Sequence, residues 1–231
     1  MRRALPLVCL CLLLACGRDA PGPAAPAQKT EPLRSSQQQG PAAARIVAIG
    51  DLHGDLAATR RALRLASAIG ADDHWSGGTL TVVQTGDTVD RGDQDREVLD
   101  LIERLRAEAA KAGGAFLAMS GNHEVMNVAG DLRYVSHTSA AAFEQGRAQA
   151  FAPGAPYALR LAAWPVVAQV GDSVFVHGGV LPHHVRYGIE RLNRETAAWM
   201  RGAAPPHHRA AGGEAWEIRS TPSVSGSASP G

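Results

Sequence analysis

Short apolar runs alternate with longer amphipathic segments through the middle of this chain. Residues 45–49, 80–83 and 115–119 are apolar runs of strand length, and each leads into a turn that contains glycine. Residues 56–69 and 97–111 instead have apolar side chains at helical spacing. Strands that alternate with helices predict an α/β fold with a largely parallel sheet.

A hairpin is predicted further along the chain. Residues 164–170 and 173–176 are two apolar runs separated by Gly171 and Asp172, which favour a turn. The second run would deliver His177 to the same region as the turns after the parallel strands. In such sheets the loops at the carboxyl ends of the strands gather at one edge, where ligands bind.

Four polar motifs occupy these loops. In chain order they are Gly50-Asp51-Leu52-His53-Gly54-Asp55, Gly86-Asp87-Thr88-Val89-Asp90-Arg91-Gly92, Gly121-Asn122-His123-Glu124 and His177-Gly178-Gly179. Taken singly, each has an ordinary explanation as a turn, a helix cap, a surface ion pair or a strand end. Their common position after strands favours a shared site.

The residue types in these motifs suit a pair of metal ions. Asp51 and His53 alternate along the chain and can reach one cation, for which zinc, iron or manganese fits better than calcium. Asp87 can bridge to a second cation, to which Asn122 and His177 would add oxygen and nitrogen ligands. Two metals about 3.5 to 4 Å apart can polarise a phosphoryl group and hold a bridging hydroxide as nucleophile.

The other polar residues of the motifs fit roles in phosphoester hydrolysis. His123, next to a ligand, could protonate the leaving oxygen, and Asp90 could orient its imidazole ring. Arg91 could grip the phosphate oxygens through charge-assisted hydrogen bonds. No covalent intermediate is required.

Composition narrows the choice of partners and of chemistry. The 231 residues suffice for one sizeable domain, and the net charge of +1 gives no electrostatic case for nucleic acid or an anionic membrane as the main partner. All cysteines, namely Cys9, Cys11 and Cys16, lie near the N-terminus. The folded domain is therefore predicted to have neither a disulfide nor thiol chemistry.

The N-terminal segment has the pattern of an export signal. Residues 1–16 begin with two arginines and continue as a Leu-rich stretch that is too short to span a bilayer. The end of this stretch resembles a bacterial lipobox, which makes Cys16 the expected lipidation site; an ordinary cleaved signal is the alternative. Residues 17–44 are predicted to be a disordered linker. We therefore expect a bacterial envelope protein on the periplasmic side, lipid-anchored or secreted.

Together the motifs resemble the calcineurin-like metallophosphoesterases, and among them the serine/threonine phosphoprotein phosphatase branch. The chain is most similar in its motifs to the Shewanella-like protein phosphatases. Four segments carry that similarity, and they are Gly121 to Asn127, Arg133-Tyr134-Val135, Phe151-Ala152-Pro153-Gly154 and His177-Gly178-Gly179-Val180-Leu181-Pro182. The resemblance covers residues 45–202, which we take as the metallophosphoesterase domain.

This resemblance implies a fold, a metal site and a catalytic group. The fold would be a β-sandwich of two sheets flanked by helices, a four-layer αββα arrangement. The two metals, manganese, iron or zinc, would be held by Asp51, His53 and Asp87 at one position and by Asp87, Asn122 and His177 at the other. The catalytic residues implied are His123, Asp90 and Arg91. Arg91 and Asn122 would bind the phosphorylated substrate.

One element of the family pattern has no counterpart. The family closes its second metal position with a histidine in a downstream Gly-His turn, and this chain has no such turn. Its remaining histidines after His177 are His183 and His184, expected at the surface, and His207 and His208, in a segment of loop composition. Trp216 and Arg219 match a substrate-facing pair of the family poorly in spacing.

Residues 203–231 show no strand pattern and have the composition of an irregular tail. We therefore expect the domain to be incomplete at its C-terminus, through truncation or a frame shift. Three functions remain open on the sequence alone. The first is a metal-dependent phosphatase acting on a phosphoprotein or a small phosphoester. The others are a degenerate metal- or phosphate-binding protein without turnover, and a structural lipoprotein of the cell envelope in which the motifs are relics.

Overall fold

The computed structural model describes residues 45–203. The predicted signal peptide 1–16 with Cys16, the linker 17–44 and the tail from residue 204 onward, with its histidines and Trp216, lie outside the described residues. The elements in chain order are β1 (Ile46–Ile49), α1 (Leu56–Leu65), β2 (Thr81–Gln84), α2 (Asp95–Lys111), β3 (Ala115–Ala118), α3 (Asn122–Val128), α4 (His137–Ala141), α5 (Arg147–Phe151), α6 (Pro156–Leu161), β4 (Val167–Val170), β5 (Ser173–Val176), α7 (Pro182–Tyr187) and α8 (Ile189–Met200).

The described strands form two sheets. Strands β1, β2 and β3 lie in that order in a parallel sheet, as the alternation of strands and helices predicted. Strands β4 and β5 pair antiparallel, with Val170 opposite Ser173, which confirms the predicted hairpin. Its turn places Gly171 at φ 57°, in the left-handed region that glycine adopts without steric cost.

Alternate residues of the parallel strands face two separate cores. Val82 and Phe116 pack with buried side chains of the helices. Val83 and Leu117, which point to the other face because the side-chain period of a strand is two, pack with Ala168 of the second sheet. Helices therefore cover one face of the parallel sheet and the antiparallel pair covers the other. This confirms the predicted α/β class and gives three consecutive layers of the αββα arrangement.

Two element boundaries differ from the sequence prediction by three residues or more. The helix predicted to reach residue 69 ends at Leu65, because Ser67 adopts φ 59° and Ile69 turns to pair with Trp75. The strand predicted from residue 164 begins only at Val167, since Trp164 is held in a turn at the end of α6 by its backbone bond to Leu161. Ile69 and Trp164 are nevertheless buried, as their apolar character indicates.

Several short helices connect these layers, and the sequence analysis did not predict them. Ser136 caps α4 by accepting the N–H of Ser139, and Pro156 starts α6 at a position where no N–H is needed. Each spans only five or six residues, too few for the apolar period to be recognised. Within residues 45–203 no helix is long and apolar enough to cross a membrane.

Candidate active site

The four polar motifs meet at the carboxyl ends of the strands. Asp51 and His53 follow β1, and Asp87 follows β2. Asn122 and His123 form the first turn of α3 directly after β3, while His177 follows β5. The structure thus brings together residues that are up to 126 positions apart, from Asp51 to His177, as the sheet topology predicted.

Backbone hydrogen bonds hold the first two loops together. The N–H groups of Leu52 and His53 donate to the carbonyl of Asp87 at 2.9 and 3.0 Å, and that of Gly54 donates to Thr88 at 2.9 Å. These bonds satisfy backbone groups that would otherwise be unpaired at the sheet edge. Three backbone hydrogen bonds therefore join the loop that carries Asp51 to the loop that carries Asp87.

Glu124 is a buried anchor beneath these loops. Its carboxylate accepts the N–H groups of Asp87, Thr88, Val89 and Gly121 at 2.7 to 3.3 Å. Complete burial and the neighbouring Asp87 charge raise the pKa of Glu124 to about 7, whereas the N–H donors favour its ionised form. Glu124 belongs to the third motif but was not assigned a role from sequence. Its observed role is to shape the Asp87 loop.

The loop conformations are strained at the polar residues. Four non-glycine residues of the motifs have positive φ, namely His53 at 46°, Asp87 at 57°, Asp90 at 71° and Arg91 at 68°. Such residues persist only where the surroundings hold them, and they cluster at functional sites. Here the Glu124 anchor and the paired loops supply that restraint.

His53 has an imidazole nitrogen suited to a cation. Its Nδ1 lies 3.2 Å from the carbonyl of Val89, so Nδ1 carries the proton and Nε2 presents a lone pair. Nε2 is buried without a hydrogen-bond partner and lies 3.4 Å from an Asp51 oxygen and 4.0 Å from an Asp87 oxygen. A lone pair facing two carboxylates is unfavourable unless a positive charge lies between them. These residues therefore fit a metal ion.

A second group of ligand atoms adjoins the first. Nε2 of His177 lies 3.1 Å from Asp87 Oδ2 and 3.1 Å from Asn122 Oδ1. The hydrogen bond to Asp87 raises the pKa of His177, against the opposing effect of burial. Nitrogen, carboxylate and amide ligands that converge in this way fit a transition metal.

The grouping of ligands differs in part from the expected assignment. Two sets have candidate ligand atoms within 4.8 Å of one another, one formed by His53, Asp87 and His123, the other by Asp51, Asp87 and His177. Asp87 is common to both sets, as a bridging ligand would be. Asp51 lies close to both His53 and His177, with its Oδ1 3.9 Å from His177 Nδ1.

His123 forms a buried pair with Asp90. Its Nδ1 lies 2.8 Å from Asp90 Oδ2, and both side chains are at most 1% exposed. Burial lowers the pKa of His123, but the hydrogen bond to Asp90 and the charge of Asp87 raise it above the ordinary value. Nε2, on the other side of the ring, lies 3.8 Å from Asp87 Oδ2 and faces the ligand cluster. His123 is thus oriented by a carboxylate and is not a solvated surface histidine.

Arg91 lies at the exposed rim of the site. Its Nη2 is 3.3 Å from His123 Nε2, and its guanidinium stands 5.8 Å from the centre of the Tyr134 ring. The backbone N–H of Arg91 donates to the carbonyl of Tyr134 at 2.9 Å. The guanidinium therefore lies next to the His123 imidazole at the exposed rim, where an anionic group entering from solvent can reach it.

The two described histidines that follow the fourth motif lie outside the candidate site. His183 and His184 lie on α7 and contact each other, with ring centres 4.0 Å apart. His183 is exposed as expected, whereas His184 is half-buried and accepts the N–H of Leu181 at 3.1 Å. Within residues 45–203 neither belongs to a group of candidate metal ligands.

A polar network that no sequence pattern predicted lies behind His123. Its members are Asp95, Asn127, Ser139 and Arg147, all of them buried. Asn127 lies in the segment that carries the resemblance, but Asp95, Ser139 and Arg147 stand in helical segments without a glycine-bounded motif. The only sequence signal for Arg147 is its position four residues before the apolar Phe151, in a helix too short to show periodicity.

Comparisons with a family model and with known sequences point to the same family. The sequence model of the calcineurin-like phosphoesterases matches residues 44–220. Shewanella-like protein phosphatase 2 of Arabidopsis thaliana is 38% identical over 203 residues, which cover 68% of this chain and 52% of that protein. Shewanella-like protein phosphatase 1 of Plasmodium berghei is 30% identical over 167 residues, with 70% of this chain and 46% of that protein covered.

Solved structures show the same relationship. The crystal structure of a cold-active protein tyrosine phosphatase from a psychrophilic Shewanella species superimposes with a TM-score of 0.62 at 27% identity. The superposition covers 68% of this chain and 49% of that one. The chain thus spans about half the length of the relatives it matches.

Proposed function

Because the chain belongs to the calcineurin-like phosphoesterase family, which is a family of dinuclear metal-dependent phosphoesterases, we propose that it hydrolyses phosphoric monoesters with two metal ions. One observation carries the proposal. Three imidazole nitrogens surround a single oxygen, Asp87 Oδ2, with His177 at 3.1 Å, His123 at 3.8 Å and His53 at 4.0 Å. A carboxylate placed in this way can belong to two sets of metal ligands and also lie beside the imidazole of the proposed acid, His123.

The chain's own residues supply the metal positions. Asp51, His53 and Asp87 would hold one ion, and Asp87, Asn122 and His177 the other. When bound, manganese, iron or zinc ions at such positions lower the pKa of water and polarise a phosphoryl group. The orphaned Nε2 of His53 supports the first position most directly.

In this proposal, His123 donates a proton, and Arg91 and Asn122 bind the phosphate. Asp90 keeps the proton of His123 on Nδ1, so the proton given to the leaving oxygen comes from Nε2. In the structure described, Arg91 Nη2 lies 3.3 Å from that Nε2. When substrate enters, the guanidinium would turn to the phosphate oxygens, with the amide of Asn122 beside it, and free Nε2 for the leaving group.

The proposed substrate is a phosphorylated compound, either a phosphoprotein or a small phosphoester. The names of the relatives, which are protein phosphatases, favour the phosphoprotein. We also propose that the chain is held at the periplasmic side of a bacterial envelope through Cys16. The lipobox-like sequence around that cysteine supports this location.

Two substitutions separate the acid from the metal ligands. His123→Asn should lower kcat for p-nitrophenyl phosphate about 10²- to 10⁴-fold, the usual contribution of a general acid, and leave the metal content per chain unchanged. Asp87→Asn should lower both turnover and metal content, because it weakens both ligand sets. His137→Asn, at the exposed start of α4, is the matched control and should change neither.

Other outcomes would contradict parts of this proposal. If His123→Asn also loses metal, His123 is a ligand, as its nearness to His53 and Asp87 allows, and its role as the acid is wrong. If folded, metal-loaded wild-type protein is no faster than a metal-only blank, the hydrolase proposal fails. In that case tight metal binding without turnover would support the degenerate binding protein.

A further inference from the structure

Arg147 is a buried guanidinium on the side of Asp90 that faces away from His123. It opens α5, its side chain is 2% exposed, and it lies against the aromatic faces of Phe143 and Phe151 at 4.8 and 4.1 Å. Burial of a cation at this depth is costly unless it is paired and hydrogen-bonded. The contacts of Arg147 show what compensates for that cost.

Each nitrogen of Arg147 has a polar partner. Nη1 lies 2.8 Å from Asp95 Oδ2 and 3.3 Å from the Ser139 hydroxyl, while Nε donates to Asn127 Oδ1 at 2.7 Å. Nη2 donates to Asp90 Oδ1 at 3.1 Å. The guanidinium therefore spans two carboxylates, one of which belongs to the proposed acid pair.

These contacts fix the direction in which the Asp90 carboxylate points. Its Oδ1 accepts from Arg147 and from Asn127 Nδ2, the latter at 2.9 Å. Its Oδ2 is thereby left for His123 Nδ1, at 2.8 Å. The backbone N–H of Asp90 is held as well, 3.1 Å from each oxygen of Asp95, at a residue whose φ is 71°. Asp90 is restrained at its backbone and at both carboxylate oxygens.

We propose that Arg147 is a positioning residue for the acid, acting through Asp90, with Asp95 as its second counter-ion. This inference rests on the proposed function, because it assigns Arg147 to the same acid step. Arg147 does not touch the ligand cluster; it sets the orientation of the Asp90 carboxylate and, through it, the direction of His123 Nε2. The aromatic faces of Phe143 and Phe151 keep its guanidinium plane in place. This arrangement needs arginine, because its planar guanidinium directs separate nitrogens at Asp90 and Asp95, whereas the single ammonium of lysine cannot reach both in the same way.

The test compares Arg147→Lys with Arg160→Lys in the full chain. Arg160 is a suitable control because it also pairs with a carboxylate, Asp100, and lies over an aromatic ring, that of Tyr157, yet is partly exposed. Hydrogen-bond partners that orient the ligands of a metal site typically contribute about 10- to 100-fold, and we expect the same range for a residue that orients the acid pair. We expect Arg147→Lys to lower kcat for p-nitrophenyl phosphate by that factor while KM and metal content stay within about two-fold of wild type. Arg160→Lys should leave all three unchanged.

A double-mutant cycle distinguishes positioning from general support of the fold. In the His123→Asn background, Arg147→Lys should have little further effect on kcat, because the acid through which it acts is gone. An equal loss of kcat in both backgrounds would overturn the inference, as would an unchanged kcat in Arg147→Lys. Ser139→Ala, which removes one hydroxyl shared by Asp95 and Arg147, is the milder variant if the lysine variant does not fold. It should show the same dependence on His123 with a smaller effect.

A spectroscopic readout makes the inference independent of turnover. The proton shared by His123 Nδ1 and Asp90 should give a downfield proton resonance, assigned by its loss in His123→Asn. Arg147→Lys, or Ser139→Ala, should shift or broaden this resonance, whereas Arg160→Lys should not. An unmoved resonance would contradict the positioning role even in a chain without activity. Absent turnover in the wild type would instead contradict the proposed function.

Discussion

Asp90 raises the pKa of the proposed acid, His123. Asp90 lies entirely within the protein, and its Oδ2 is 2.8 Å from His123 Nδ1. A carboxylate this close favours the protonated imidazole, so the pKa of His123 is raised in spite of burial. A general acid must be protonated to act. Asp90 therefore extends the pH range over which His123 can donate a proton.

Asp90→Asn should shift the pH dependence of turnover. It removes the negative charge and the charged hydrogen bond that raise the pKa of His123, so the imidazole loses its proton at a lower pH. The decline of kcat at high pH should therefore begin at a lower pH than in wild type, and kcat should fall about 10- to 100-fold. The measurement is a profile of kcat against pH with p-nitrophenyl phosphate.

The control for this shift is Asp93→Asn. Asp93 lies in the same loop but is exposed, and its side chain accepts a hydrogen bond from Ser136 at 2.6 Å. Its profile should coincide with that of wild type. A decline in Asp90→Asn that starts at the wild-type pH, or at a higher one, would show that His123 is not the group that titrates.

Individual candidate site residues could be selected from the sequence where they stand in a motif. Asp51, His53, Asp87, Asn122 and His177 could be selected because each offers a ligand atom on a turn after a strand. Arg147 could not, because its importance depends on which carboxylate lies beside it in space. A single sequence gives no pattern that links Arg147 to Asp90, 57 positions earlier.

The site depends on close contact between the loop after β2 and the start of α3. A Cβ added at Gly121 would meet Asp87 Oδ1, lie 2.7 Å from Asp87 N and lie 3.0 Å from His177 Cγ. The backbone at Gly121 has φ −94°, so glycine is needed there for space and not for its conformational freedom. The glycine lets the Asp87 carboxylate lie against the start of the helix.

Gly121→Ala should therefore damage the metal site. The methyl group must displace Asp87 or His177, and a shift of about 1 Å in such groups can lower the rate about 10²-fold. We expect lower metal content and a loss of kcat/KM of that order, measured by metal analysis and p-nitrophenyl phosphate hydrolysis. Gly50→Ala is the matched control, since a Cβ at this motif glycine would meet nothing within 4 Å. Equal metal content in both variants would contradict the steric account.

Secondary structure could be predicted where apolar runs were bounded by clear turns, whereas α8 was not predicted although it has 12 residues. The strands before the motifs and helix α2 carry strong apolar patterns, and α2 was misplaced by only two residues at its start, which is Asp95. The helices α4, α5 and α6 escaped prediction because segments of five or six residues are decided by caps and tertiary contacts. The strained loop conformations at Asp87 and Asp90 likewise depend on Glu124 and Asp95, which lie elsewhere in the chain.

The polar site of the described molecule lies on a buried sheet. The parallel sheet lies between helices on one face and the antiparallel pair on the other, and three of its loops carry candidate metal ligands. The fourth motif enters from the second sheet through His177. The packing of the two sheets therefore sets the distance between Asp87 and His177, which belong to the same set of candidate ligands. The α/β class and the family could be predicted from sequence, because motif order and strand alternation were both visible.

The most direct test of two-metal phosphoester hydrolysis is metal-dependent turnover by the whole chain. Protein stripped with a chelator and reloaded with manganese should release p-nitrophenol from p-nitrophenyl phosphate faster than the metal-only blank. The rate should saturate at two ions per chain, because two ligand sets share Asp87. Asp87→Asn prepared in the same way should stay at the blank rate. If folded, metal-loaded wild-type protein hydrolyses p-nitrophenyl phosphate no faster than the blank, the proposal of two-metal hydrolysis is contradicted.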